Sequence, residues 1–311
     1  KNLANELENL GRILLKFYRS ADLLYRQSVS GKQPQWVAKH LDLGKPEEVI
    51  ALQRENRLKT TLPAVIRPDI LLTEEGWIIT ELDSVPGGIG LTAWLNQAYA
   101  ESGVEIIGGK TGMTDGFSGI FKDSKNVHII VSEESATYRP EMQWLGTVLG
   151  SRFSVRDSNF TGWDSGDAIY RFFELFDLAN LNNAKKIFAD VTRGDLLVSP
   201  PPKAYLEEKM LLSLLWNRNL HDFWQRELGS AFFNEMIKHT PQSWVVDPSP
   251  LPPHAAIPGL ELTDWRQLCD MSQRERNLVL KISGFSERAW GARGLHVGSA
   301  LSQADWSKAV E

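Results

Sequence analysis

The stretch ITELDSVPGGIGLT, residues 79–92, decides how the rest of the chain is read. It leaves the apolar run GWIITEL and sets Glu81 and Asp83 just ahead of Gly87, Gly88 and Gly90. In a strand, residues i and i+2 share a face, so the two carboxylates point the same way. Oxygen ligands paired like this suit Mg²⁺, which takes a few carboxylates together with phosphates and waters. The plain alternative is a solvated strand face. Within the stretch, GIGLTA (88–93) fits G-x-G-x-x-A between a strand and a helix, the dinucleotide fingerprint. Two carboxylates beside a pyrophosphate repel it unless a cation lies between them. The acids therefore argue for metal plus phosphate over NAD.

Upstream, AVIRPDILL (64–72) is a strand candidate in which Pro68 marks an edge or a bulge. The turn TEEG joins it to GWIITEL, so the two are expected to form a hairpin. Residues 1–30 read as one amphipathic helix, with Gly11 a candidate interruption. A shorter helix is expected over 46–58, opened by Pro46 with Glu47 and Glu48 in its first turn. Downstream, LTAWLNQAYAESG is a helix closed by Gly103. Residues 108–119 (GGKTGMTDGFSG) read as a glycine-rich, non-helical surface loop and a domain boundary. GGKT does not complete a phosphate-binding P-loop, because the glycine needed six residues before Lys110 falls on Val104.

Beyond that loop, VHIIVSEESATYRPEMQWLGTVLG (127–150) reads as strand, loop and helix. FSVRDS and DAIYRFF read as further strands, and the alternation points to a parallel α/β layer. The chain is then expected to be helical to about residue 240. A proline-rich connector, 247–259, leads to NLVLKISGFSERAWGARGLHVG (277–298): a strand, a Gly/Ser loop and a return strand. Lys281 ends the first strand, and Ser283, Gly284, Ser286 and Glu287 follow. A lysine beside free N–H groups is a phosphate cradle, and an ordinary hairpin is the alternative. Arg67 and Arg171 stand in apolar strand contexts and need anionic partners, either a protein or a substrate carboxylate. The histidines, His40, His128, His221, His239, His254 and His296, show no metal-ligand spacing.

The whole chain sets bounds. Its 311 residues are 42% hydrophobic with a formal net charge of −5, enough for a sizeable core and two or three domains. The acidic balance disfavours nucleic acid. No run approaches the roughly 18 apolar residues of a membrane span. Lys1 opens a polar, helical segment, so no signal peptide is read, and with no initiator Met an N-terminus that is trimmed or only partly present is expected. The single cysteine, Cys269, excludes an internal disulfide and fits a reducing cytoplasm.

Together these segments resemble the circularly permuted ATP-grasp enzymes, the glutathione and glutathionylspermidine synthetases and related bacterial proteins. The resemblance lies in the order of the segments. RPD (67–69) and ELD (81–83) with SVPGGIG look like the metal-ligand strands. The segment VHIIVSEESATYRPEMQWLGTVLG resembles the small Rossmann-like substrate domain, and AIYRFF the strand with a substrate-binding arginine. PPPKAYLEEKMLLSLL (200–215) is similar to the helix with an ATP-contacting lysine, here Lys209. VLKISGFSERAWGARG is similar to the lysine-ended strand and phosphate loop.

The resemblance implies a permuted ATP-grasp fold of mixed α/β class. Residues 1–118 would carry the metal half, 119–200 the substrate domain, and 201–311 an incomplete ATP half, the chain being either a fragment or an incomplete, inactive relative. It implies ATP and Mg²⁺, with Glu81, Asp83 and Glu287 on the metal. Lys209, Lys281, Ser283, Gly284, Ser286, Gly87 and Gly88 would lie along the nucleotide, and Arg67 and Arg171 on the acceptor. The implied activity is ligation of a carboxylate, on a small molecule or peptide, to an amine through an acyl phosphate. The alternatives are a non-catalytic nucleotide- or peptide-binding relative and, more weakly, an NAD-dependent oxidoreductase.

Overall fold

The computed structural model describes residues 2–247, 249–252 and 255–311. Parts of the expected connector, and His254, lie outside the described residues. Helix α1 (Asn2–Val29) runs through Gly11 without interruption. That glycine is exposed, with nothing within 4 Å of where a Cβ would stand, so it costs only its helix propensity, about 1 kcal/mol. The helix is held by a buried stripe at 3–4 spacing: Leu10, Ile13, Leu14, Phe17, Tyr18, Ala21, Leu24 and Tyr25. Short helices α2 (Gln35–Asp42) and α3 (Glu47–Gln53) follow. Pro46 stands just before α3, and the expected helix over 46–58 breaks into α3 and a 3₁₀ turn at Asn56–Leu58.

Strands β1 (Arg67–Thr73) and β2 (Gly76–Asp83) form the expected antiparallel hairpin. The register pairs Arg67 with Asp83 and Asp69 with Glu81, then shifts between Asp69 and Ile70. The bulge falls beside Pro68, and Thr80 is the extra residue on β2. It separates a charged end of the hairpin from an apolar one, and bulges re-aim side chains in this way.

Helices α4 (Ile89–Glu101) and α5 (Gly112–Ile120) come next. The second corrects the expectation of a loop over 108–119. Three glycines over 112–119 and their neighbours make a poor local helix, but Thr114 and Phe117 of α5 are buried. Phe117 packs edge-on to Phe121 and Tyr170, and burial of this size outweighs propensity. A boundary after residue 118 would cut this helix. Ile89 and Phe117 share one core with Val127, Ile129 and Met142, so the sheet unit begins near α4.

That unit contains β3 (Val127–Val131), α6 (Arg139–Leu149), β4 (Phe153–Arg156), β5 (Ala168–Phe172), α7 (Ala184–Arg193) and β6 (Leu197–Ser199). The strands lie in the order β4-β3-β5-β6, all parallel. β3 and β5 are buried along their whole length, as expected for a sheet covered on both faces. The class is therefore mixed α/β with a parallel sheet. β6 was not legible as a strand.

Helices α8 (Met210–Trp216), α9 (His221–Leu228) and α10 (Ser230–His239) pack on α1, where Phe17 stacks on Trp224. A last unit holds the antiparallel pair β7 (Val279–Lys281) and β8 (Leu295–Val297) with α11 (Gln303–Val310). Its core is built on Trp265 and Trp306. No described helix is long and apolar enough to cross a membrane.

Candidate functional site

In the parallel sheet, the chain passes from β3 outward to β4 and then returns across to β5. The crossover directions reverse between β3 and β5, and ligands of open α/β sheets bind beyond the carboxyl ends of the strands at such a point. A cavity of about 400 Å³ lies there. Ser135 and Tyr138 line it from the segment after β3, and Phe173 and Glu174 from the segment after β5. The charged end of the β1–β2 hairpin contributes Arg67, Asp69, Glu81 and Asp83, and the β7–β8 unit adds Lys281 and Trp290. A smaller cavity of about 70 Å³ shares Glu81, Asp83, Glu174 and Trp290 and adds Glu207, Lys209, Gly284 and Ser286.

The charges in this cleft meet in pairs. Lys209 Nζ stands 3.0 Å from Glu81 Oε1, and Lys281 Nζ stands 3.8 Å from Glu81 Oε2. Lys281 also donates to the Thr80 carbonyl at 2.9 Å, so the bulge residue anchors it. Arg67 donates to Asp69 at 2.8 Å and to the Gly87 carbonyl at 3.1 Å, and lies 3.4 Å from Asp83. Burial raises the Asp83 carboxyl above its ordinary range; the Val85 N–H and Arg67 oppose the rise, and Glu81 and Asp69 add to it. The pairing follows from the hairpin register, which puts Arg67 across from Asp83 and Asp69 across from Glu81.

Not every expected residue joins the group. Arg171 has no exposed surface. Its guanidinium is bonded to Glu207, to the Phe173 carbonyl at 2.6 Å and to the Pro200 carbonyl at 3.4 Å. The carboxylate it holds is the protein's own, and Arg171 lines neither cavity. Glu287 is exposed and lines neither cavity. Among the described residues no group of three His, Cys, Asp or Glu gathers as a metal set, so Glu287 does not complete Glu81 and Asp83.

The glycine turn 87–90 serves a different purpose from the one expected. Glu141 of α6 accepts from the Gly88 N–H at 2.8 Å and the Leu91 N–H at 3.0 Å. A protein carboxylate thus occupies the α4 N-terminus, the place a phosphate would take. A Cβ on Gly90 would collide with the Glu141 carbonyl, and one on Gly87 with the Tyr138 ring. These glycines let α4 approach α6. Only Gly87 also borders the cavity.

Ser283 and Gly284 likewise meet a glutamate. Ser283 Oγ donates to Glu208 and accepts from the Met210 N–H at 3.0 Å. A Cβ on Gly284 would stand 2.8 Å from Glu208 Oε2. Glu208 is buried in an ion pair with Lys45. The rest of the loop roofs the cleft. Its Phe285 and Ala292 have positive φ (45° and 60°), the strained backbone often found at ligand sites. Trp290 lines both cavities with a buried indole N–H that has no partner among the described residues.

Sequence reasoning missed Asp69, Thr80, Tyr138, Trp290 and Glu174. For Glu174 there was one usable signal, an acid directly after the apolar run AIYRFF at a strand's carboxyl end. Burial, then the neighbouring Glu207, push its carboxyl up to about 8 against the pull of Arg171. No family model, no curated protein and no solved structure matches the chain.

Proposed function

We propose that the cleft binds MgATP and a carboxylate-bearing small molecule or peptide, and that it joins the carboxylate to an amine through an acyl phosphate, in the manner of a permuted ATP-grasp ligase. One observation carries this reading. Lys209 and Lys281, 72 residues apart by their numbers (281 − 209), converge on Glu81 at the mouth of a cavity that also holds Arg67 and Asp83. Cations from two segments meeting the carboxylates of a third make a site for a polyanion that arrives with a metal.

The donor set fits Mg²⁺ in a limited way. Glu81 and Asp83 are two carboxylates on one strand face, and Mg²⁺ is commonly held by one or two carboxylates with phosphate oxygens supplying the rest. When bound there, the ion would neutralise charge on the phosphates. The chain's own residues then divide the work. Lys209 and Lys281 exchange Glu81 for phosphate oxygens. Arg67, whose side chain keeps 43% of its surface exposed, orients the acceptor carboxylate. Arg171 holds Glu207 in place beside the smaller cavity. The cytoplasm, where Cys269 stays reduced, is the setting that fits. A binding module without turnover is the second reading, favoured by the capture of Arg171 within the protein.

Thermal unfolding with MgATP, MgADP or NAD⁺ tests the reading. MgATP is expected to raise Tm by several degrees in the parent and by much less in Glu81→Gln and Lys281→Ala. An equal rise in all three proteins, or a rise with NAD⁺ alone, would overturn it. ATP turnover with amino-acid acceptors separates ligase from binder.

A further inference from the structure

We propose that Glu174 is the general base of the amine-transfer step, taking a proton from the attacking ammonium; this rests on the ligase reading above. The other carboxylates that line the two cavities each have a cation, as does neighbouring Glu208. Glu81 has Lys209 and Lys281, Asp69 and Asp83 share Arg67, Glu207 has Arg171 and Glu208 has Lys45. Glu174 makes no ion pair or side-chain hydrogen bond among the described residues, yet it lines both cavities and so stands where they meet. Its backbone is fixed on either side by buried Phe172, Phe173 and Leu175. A carboxylate held there, free of partners and open to the cavity, is left to the ligand.

The surroundings suit the task. The charges of Glu207 and Arg171 act most strongly on Glu174, and those of Asp83 of β2 and Lys209, just ahead of α8, act more weakly. An ordinary carboxylate is too weak a base to deprotonate an alkylammonium efficiently. One raised by burial is closer to the optimum for proton transfer near neutral pH. An ammonium brought beside it also favours the ionised form. In the step itself, the amine nitrogen forms the C–N bond at the acyl carbon. The C–O bond to phosphate breaks, and its electron pair leaves on the phosphate. Before the attack a Glu174 oxygen takes one proton from the ammonium and so frees the nitrogen lone pair, later passing that proton to water; the second N–H proton leaves with the departing phosphate. The products are a neutral amide and inorganic phosphate.

Two nucleophiles separate this role from a structural one. Hydroxylamine is uncharged at neutral pH and needs no base, whereas methylamine arrives as a cation. Each would be given to the protein with MgATP and a panel of free amino acids and dipeptides as carboxylate donors. Glu174→Gln is expected to form hydroxamates within about threefold of the parent and to lose about 100-fold or more in methylamide formation. Glu174→Asp should recover part of that loss. Equal loss with both nucleophiles, or no loss with methylamine, would overturn the role of Glu174. A parent that binds MgATP and forms no hydroxamate would overturn the ligase reading and this step with it.

A substrate-free measurement checks the environment of Glu174. A carboxyl whose folded pKa is raised keeps its proton after the unfolded chain has lost it, so stability falls as pH rises from about 4.3 toward the folded value. The Tm of Glu174→Gln should therefore exceed the parent's by a margin that widens from pH 6 to pH 9. A constant margin would mean that Glu174 is an ordinary surface acid and would overturn the proposal.

Discussion

Two glycine-containing loops border the cleft, one at 84–91 ahead of α4 and one at 282–294 between β7 and β8, and each admits a glutamate. In the first, Glu141 takes two backbone N–H groups at the start of α4, with no ion pair among the described residues. Its charge is met by the helix N-terminus alone. In the second, Glu208 sits against Ser283 and Gly284 and is neutralised by buried Lys45. The first loop is closed around its glutamate. The second uses its glutamate only as a pin, and Ser286, Ala289, Trp290, Gly291 and Ala292 line the cavities. Glycines near a strand end therefore mark close approach, and what approaches is decided elsewhere in the chain.

The comparison can be broken most severely at Glu208. Glu208→Gln strands Lys45, whose side chain is 1% exposed, and removal of one partner from a buried pair costs about 3–5 kcal/mol. Urea unfolding should show that loss, and a change under 1 kcal/mol would mean the pin is not structural. Next in size is Gly90→Ala, which forces a methyl into the Glu141 backbone and should cost about 1–3 kcal/mol by overpacking. Here the obstacle is main chain, which cannot swing aside, so a neutral result would contradict the close α4–α6 approach. The smallest effect is expected for Glu141→Ala, about 1–2 kcal/mol for a lost helix cap. It is also the most informative. With the α4 N-terminus vacated, inorganic phosphate should raise Tm in the variant and leave the parent unmoved. Equal response in both would show that the parent's turn was open to anions after all.

Local pattern sufficed where the signal was local. The β1–β2 hairpin, the strand pair at 279–297, α1 and the parallel layer were legible, because alternation, turn residues and 3.6-residue periodicity are written within a few neighbouring positions. The shared face of Glu81 and Asp83 was legible for the same reason. The α5 helix was not, since its glycines argue against it locally and only Phe117, buried against β5 and α5's own neighbours, reverses the balance. The fate of Arg171 was open in the sequence between a protein and a substrate carboxylate. Tertiary structure chose the protein's Glu207, because a guanidinium without exposed surface must be paired within the fold. The unpaired state of Glu174 was equally invisible, for a carboxylate is left free only when every nearby cation has been taken by another. Charge type and spacing belong to the sequence. Which charges meet depends on contacts between separate segments, 36 residues apart for Arg171 and Glu207 and 163 for Lys45 and Glu208, and those distances exist only in the folded chain.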